Sequence, residues 1–429
     1  MLARARPSGE GRIVGLLDIG AGKVCCMIAS LSPPAEGANS ATVRLLGFGH
    51  QRSRGVKAGV VVDLEETVRA VQAAVGAAER MAGLSIDDVY LVVMAGRLKS
   101  SLFSAAVQVD RGVVEDEHVA RVLAGGEAYL ARAGRAIIQH DCVGFRLDGS
   151  TNVRDPRGLA GAKLVADLHA VTADEAPLRN LVLAAERCHL TVVGMLSAPA
   201  ASGLATSTAD ERELGVVVVD MGAGTTSLAA WSHGRLRHID VALVGGQHAT
   251  FDLANALGAP LDEAERIKTR LGTLIAAQSD EREQVSFPLA GNDGLVGPGE
   301  GMATRADVRR IIAPRFTRIL RDLGQRIAQH PEARAAASRI VLTGGASHLP
   351  GLPECAADIL DKPVRIGRPM CAGLPATACQ PQFAALIGLL VALAATPCDG
   401  DPMLRAYRDR NVLTGGYIGR LKEWVIGNF

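Results

Sequence analysis

The sequence predicts an α/β fold built from two related halves that face each other across a cleft. Three observations predict it. Val216 to Thr226, VVVVDMGAGTT, is a valine run ending in Asp220 and then in a turn with two glycines and two threonines. A run that apolar reads as a strand buried on both faces, which delivers its aspartate to the strand's exposed end. Near the start of the chain, Leu16 to Lys23 repeats the pattern: core strand, Asp18, and Asp-x-Gly-x-Gly through Gly20, Ala21 and Gly22. Finally, each copy is followed by a short second strand, Val24 to Ser30 and Ser227 to Trp231. The loops are therefore hairpins and not Walker loops, which need Gly-Lys-Ser/Thr opening a helix. Two such hairpins, each with backbone N–H groups free to close on an anion and a carboxylate behind them, suit a Mg-nucleotide gripped from both sides.

Composition bounds the rest. A chain of 429 residues is long enough for about two to four domains. The 46 basic and 45 acidic residues nearly cancel, so no broad field for nucleic acid or membrane is expected. The eight cysteines form no Cys-x-x-Cys pair, which predicts core packing in a reduced compartment, with Cys25 and Cys26 as strand residues. The N-terminal MLARARPSGEGR carries charge without an apolar stretch after it, so no signal peptide is expected. No run reaches the ~18 apolar residues of a spanning helix.

In order, the chain opens with a meander, Ile13 to Asp18, Val24 to Ser30 and Val43 to Phe48. Asp63 then caps a helix whose Leu64, Val68, Val71, Val75 and Ala78 share one face. From about Tyr90 to Asp167 the pattern predicts a small α+β insertion, with strands at Phe103 to Val109, Arg135 to Val143 and Lys163 to Val171 around a helix at Glu115 to Leu130. A helix at Leu178 to His189 and a strand at Thr191 to Met195 follow. After the second hairpin, Gly245-Gly246 leads into two helices. In the second, LDEAERIKTRL, Glu265 and Lys268 are three apart and share a face. Without context, an ordinary surface ion pair is the better explanation of them. Ser279 to Ala303 reads as a loop or irregular sheet edge. Thr304 to Asp307 approximates a capping box before a helix at Val308 to Ile327, where Pro314 should introduce a kink. The strand Arg339 to Thr343 ends in Gly344-Gly345-Ala346-Ser347, where backbone can lie flat on a ligand.

Two Asp-x-Gly-x-Gly hairpins, a Glu-x-x-Lys helix and a strand ending Gly-Gly-x-Ser, in this order, resemble the actin, sugar-kinase and heat-shock-chaperone ATPase superfamily. Within it the chain is similar, over almost its whole length, to the FtsA family of bacterial cell-division proteins. The matching stretches are Gly59 to Gly83, Asp210 to Gly224, Asp262 to Gly272 and Tyr417 to Phe429. The resemblance implies an actin-like two-domain ATPase fold with an inserted α+β subdomain of the 1C type. It divides the chain into subdomain 1A (11–90, 168–205 and 375–396), 1C (91–167), 2A (210–246 and 335–374), 2B (247–334), a linker (397–416) and a membrane-targeting helix (417–429).

The resemblance also assigns roles. Asp18 and Asp220 would join the water shell of Mg. Gly20, Ala21, Gly22, Lys23, Gly222, Ala223, Gly224, Thr225 and Thr226 would surround the phosphates of ATP. Glu265 and Lys268 would reach the ribose and adenine, Gly344, Gly345 and Ser347 would bracket the adenosine, and Gly246, Ala346 and His348 would complete the nucleotide-binding set, His348 standing where relatives often place an arginine against the base. Two departures stand out. Ala21 and Gly22 replace hydroxyls usual in the first loop, which predicts weaker phosphate and Mg contacts. Ala198, in SAPAAS, stands where relatives place a group that orients the attacking water, so general-base help worth ~10² to 10⁴ in rate is expected to be missing. The chain is then at most a slow ATPase, and the nucleotide acts mainly as an assembly ligand.

The function implied is an ATP-binding, self-assembling adaptor at the division site. It would tie the C-terminal peptide of the tubulin-like protein FtsZ, docked on Gln247 to Arg334, to the cytoplasmic face of the inner membrane. Downstream division proteins are further expected partners; nucleic acid is not. Two alternatives stay open: an actin-like pilus-assembly protein resembling PilM, and a small-molecule kinase on the same fold, although no carboxylate base over a hydroxyl acceptor is legible.

The tail can be read without the family. After Pro397 the chain is polar and helix-poor through Gly416, as a tether is. Tyr417, Leu421, Trp424, Val425 and Asn428 then form a helical stripe flanked by Ile418 and Phe429, with Arg420, Lys422 and Glu423 elsewhere. Taken alone, such a helix docks on the protein's own core at least as readily; the tether before it and the tryptophan with basic neighbours favour an anionic membrane surface. A local charge of about +1 leaves adhesion to apolar burial, roughly 5 to 10 kcal/mol gross, so firm attachment should need many copies.

Overall fold

The computed structural model describes residues 3–4, 11–33, 41–131, 134–291 and 296–395. The tether and amphipathic tail expected at 397–429 lie outside the described residues.

The first half opens with β1 (Arg12–Ile19), β2 (Lys23–Ser32) and β3 (Thr42–Arg52), followed by α1 (Leu64–Ala82) and β4 (Asp88–Val93). Asp63 caps α1 by accepting from the Glu66 N–H at 3.0 Å, and Gly83 ends it in the left-handed region. Its Val68, Val71, Ala74, Val75 and Ala78 are buried. The insertion comprises β5 (Lys99–Gln108), α2 (Asp116–Ala131), β6 (Ala136–Leu147), β7 (Ser150–Val153) and β8 (Lys163–Ala173). The chain then resumes with α3 (Glu175–Glu186), β9 (Thr191–Ser197), α4 (Ala198–Thr206) and α5 (Ala209–Leu214).

The second half contains β10 (Val216–Met221), β11 (Thr226–Ser232), β12 (Arg235–Ala242), α6 (Gly246–Leu257) and α7 (Leu261–Leu271). A hairpin, β13 (Gln284–Ala290) and β14 (Val296–Thr304), precedes α8 (Arg305–Gln329) and α9 (Pro331–Ala336). The last elements are β15 (Ile340–Thr343), α10 (Leu352–Leu360), β16 (Val364–Ile366) and α11 (Ala384–Ala395).

The duplication is visible in the sheets. The first has strand order β9-β4-β1-β2-β3, the second β16-β15-β10-β11-β12. In each, an antiparallel three-strand meander is extended by two parallel strands beyond its first member. The valine run of β10 is buried on both faces: Val216 and Val218 join the core shared with the first half, while Val217 and Val219 join the core under α6, α7 and α8. This is the fully covered strand that an uninterrupted apolar run implies.

Two features differ in detail from the expectation. Asp88–Val93 pairs in parallel with β1 and β9, so it belongs to the first half; the inserted sheet, ordered β7-β6-β8-β5, spans Lys99 to Ala173 rather than starting near residue 91. The stretch from Ser279 is an antiparallel hairpin, because Val285, Phe287 and Ala303 point inward. Helix α8 holds Pro314 in its interior and starts from the expected box, Thr304 and Asp307 each accepting the other's backbone N–H at 3.1 Å. Cys25 and Cys26 are fully buried in β2, and burial pushes the Cys25 thiol up to about 12, which leaves it inert at neutral pH.

Candidate nucleotide site

The two hairpin loops are superimposable in their bonding. Asp18 pairs with Cys25 and Asp220 with Ser227; the Gly20 N–H donates to the Lys23 carbonyl at 2.9 Å, as the Gly222 N–H does to Thr225. Among the described residues no backbone carbonyl takes the N–H of Ala21, Gly22, Ala223 or Gly224. The loops meet tip to tip. A β-carbon added to Gly22 would lie 2.8 Å from the Ala223 methyl carbon, and one on Gly224 3.0 Å from that of Ala21. Glycine and alanine are thus required by space where the tips meet, and the loops carry backbone N–H donors that no backbone carbonyl takes, the kind of arrangement that binds anions.

Behind the tips sit the carboxylates. Burial pushes Asp18 up to about 6; the nearby Asp220 adds to the rise and Lys23 opposes it. Asp220 is also raised by burial, against the Ser202 hydroxyl, which donates to its Oδ2 at 2.5 Å, and against Lys23. Gly344, at φ +87°, lies so close that any side chain there would collide with Asp220 Oδ1, 2.3 Å from the would-be β-carbon. The Lys23 ammonium lies 5.5 Å from the Phe383 ring centre. Two half-buried carboxylates facing one lysine form a donor set that a divalent cation completes, so the residues fit a Mg-nucleotide.

The second half supplies the other wall. Gly246 and Gln247, at the start of α6, donate their N–H groups to the carbonyls of Gly222 and Ala223 at 2.9 Å, which fixes α6 to the loop. Lys268 Nζ donates to Glu265 (2.7 Å), to Thr250 (2.8 Å) and to the Gly246 carbonyl (3.1 Å). Thr250 in turn donates to Glu265. The Glu-x-x-Lys pair therefore pins α7 onto α6, with the Lys268 side chain only 15% exposed, and is more than an exposed ion pair. A β-carbon on Gly246 would be 3.0 Å from that of Ala346, which brings the Gly344–His348 turn against the same wall. Within that turn, Ser347 donates to the Gly344 carbonyl at 2.7 Å and His348 Nε2 bonds Gln382 Oε1 at 2.8 Å. Gly345 starts the turn's short helical piece. Thr225 is buried, and the Thr226 hydroxyl donates to the Val244 carbonyl, so it serves its own domain.

Ala198 opens α4 and is nearly buried. Just before it, the Ser197 N–H and hydroxyl both donate to Gln139 Oε1, at 3.0 and 2.7 Å, so the insertion reaches this point through β6. Ser202, Gln139, Thr250 and Gln382 escaped the sequence reading. Only Ser202 left a signal: it stands one helical turn after Ala198, on the same face.

The comparisons with known proteins agree with this architecture. The family described as Cell division protein FtsA matches residues 217–388, and the family described as SHS2 domain inserted in FTSA matches residues 95–172. The chain is 42% identical over 390 residues to the cell division protein FtsA of Rhizobium meliloti, covering 90% of this chain and 88% of the relative. It is 32% identical to that of Escherichia coli strain K12, over 98% of this chain and 99% of the relative. Among solved structures, the PilM-PilN type IV pilus biogenesis complex matches with a TM-score of 0.57 at 17% identity, covering 90% of this chain and 99% of that one. MreB5 of Spiroplasma citri bound to ADP matches with a TM-score of 0.51 at 16% identity, covering 89% and 95%. At such identities these neighbours share the fold alone, which gives the pilus reading no support over the division reading. With two actin-like halves, the inserted SHS2 domain and full-length relatives above 30% identity, the chain belongs to the FtsA family of cell-division proteins.

Proposed function

We propose that this chain binds Mg-ATP between its two hairpins and that assembled copies tie FtsZ to the cytoplasmic face of the inner membrane at the division site. The observation that carries the nucleotide reading is the pair of equivalent loops, with free N–H donors at their tips and the electrostatically strained Asp18 and Asp220 behind them. In this reading the loop glycines and Lys23 hold the phosphates. Asp18 and Asp220 hold the water shell of Mg, whose charge would neutralise the phosphates. Glu265, Lys268 and the Gly344–His348 turn enclose the adenosine. The solved MreB5 relatives of this fold are described as bound to ADP and to AMPPNP. With alanine at 198, hydrolysis is slow and the nucleotide favours assembly.

The partner side rests on α8. Arg309, Arg310, Arg315, Arg318 and Arg321 line an open groove of about 1280 Å³ along α8. Arg315 is spent on a bidentate pair with Asp252, whereas the exposed Arg318 and Arg321 have no carboxylate partner among the described residues. Such guanidinium groups suit a carboxylate-bearing peptide, and we assign the FtsZ C-terminal peptide here. Charge reversal at both arginines should abolish its binding.

Membrane attachment falls to Tyr417, Ile418, Leu421, Trp424, Val425 and Phe429. No helix among the described residues is long and apolar enough to cross a membrane. Co-sedimentation with anionic vesicles, with and without ATP, tests this reading. The full chain should pellet, more so with ATP; Trp424→Glu, or deletion from Tyr417 onward, should stay in solution while still binding ATP. Equal pelleting of the truncated chain would overturn the anchor.

A further inference from the structure

A second cluster of chemistry-bearing side chains lies far along the second sheet, where its edge strand β12 meets the elbow between α8 and α9. A bulge between β11 and β12, at Ala230/Trp231, interrupts the regular pairing just before His238, and beyond it His238 and Asp240 fall on one face of the strand. His330 is the residue between α8 and α9, closing one helix and opening the other in extended conformation. The His238 and His330 rings stack with centres 4.1 Å apart. One ligating atom from each of His238, Asp240 and His330 lies within 4.8 Å of the others. His238 Nε2 is buried with no hydrogen-bond partner, an uncompensated polar atom that calls for a ligand.

We propose that His238, Asp240 and His330 form a site for a divalent transition cation of the Zn²⁺ class, distinct from the nucleotide cleft. Two imidazoles and a carboxylate favour zinc, cobalt or nickel over magnesium, with the fourth position left to water. The neighbouring charges are arranged to permit it. Arg326 holds Asp240 Oδ2 at 2.9 Å but also holds Asp322 at 2.7 Å, so it retains a carboxylate if a cation takes a share of Asp240. Asp240 Oδ1 accepts from the Val241 N–H at 2.7 Å, which orients the carboxylate. Strand β12 is also where the insertion docks: the Ile239 N–H donates to Ser100 Oγ at 3.2 Å, Ser100 bonds the buried His169 at 2.7 Å, and Arg235 pairs with Asp141 at 3.2 Å. A bound cation would stiffen the α8–α9 elbow against the strand that carries the insertion.

The test is titration of untagged, metal-stripped full chain with ZnCl₂ by calorimetry in excess Mg²⁺, with Co²⁺ absorption as a report of nitrogen ligation. One saturable site is expected. His238→Gln and His330→Gln should each weaken it by more than about tenfold, since loss of even an outer-shell partner of a metal ligand costs about 10–100-fold. Asp240→Asn should weaken binding likewise, and unchanged thermal unfolding of the metal-free variants would separate a lost ligand from misfolding. Absence of saturable binding, or unchanged affinity in the double histidine variant or in Asp240→Asn, would each overturn the site.

Discussion

Asp18→Asn tests the electrostatics of the cleft most directly. In the nucleotide-free protein the Asp18 carboxyl is raised from 3.8 to about 6, chiefly by burial. A carboxyl that holds its proton more tightly when folded disfavours folding once it must ionise. The penalty is absent below about 3.8, grows through the window between, and is complete above about 6. At about 1.36 kcal/mol per pH unit, the roughly two-unit rise corresponds to at most about 3 kcal/mol, and partial solvent access brings the expectation to about 1–3 kcal/mol. Asparagine keeps the shape and removes the charge. Urea unfolding at pH 7.5 without nucleotide should therefore show the variant more stable than wild type by about that amount, and the advantage should shrink at pH 5. Saturating Mg-ATP should reverse the order, because the wild-type carboxylate regains its counter-charge and the asparagine cannot. A variant that is less stable by the same amount at both pH values would refute the reasoning, since Asp18 would then be a packing or hydrogen-bonding residue.

Further outcomes follow from particular contacts. Gly224→Val drives a branched side chain into the Ala21 methyl and the Ala58 N–H, 3.0 and 3.1 Å from the β-position; Mg-ATP affinity by calorimetry should fall more than about tenfold, with a stability cost of about 1–3 kcal/mol. Glu211 is held down to about 2, first by the Arg365 guanidinium and then by its Thr208 cap and Arg339. The stabilisation it contributes is complete above 4.5 and is lost as pH falls through about 2, and Glu211→Gln should cost about 1–3 kcal/mol at pH 7 in chemical denaturation, less the screening from two partly exposed arginines. Wild-type ATP turnover should be very slow and Ala198→Glu should raise it; brisk release of phosphate by the wild type would show that another group orients the water.

Much of this protein is legible in one dimension because its signals are local. An apolar run ending in Asp-x-Gly-x-Gly specifies strand, hairpin and carboxylate within a dozen residues, and its repetition announces the duplication before any contact is known. Asp63 before a period-3.6 stripe determines a helix in the same way, as Thr304 does with Asp307. What the chain order does not carry is which surfaces meet. That the loop tips touch through Ala21, Gly22, Ala223 and Gly224, that Ser202 leans on Asp220, and that Gln139 of the insertion bonds Ser197 depend on packing between segments distant in sequence. The Glu265–Lys268 pair shows the difference: spacing puts both on one face, but only the approach of α6 converts them into a bonded cluster with Thr250 and Gly246. The same holds for His238 and His330, ordinary in sequence and stacked in space. Backbone geometry is set by neighbours along the chain, whereas burial, and with it the charge state of Asp18 and Asp220, is set by everything the tertiary fold brings around them.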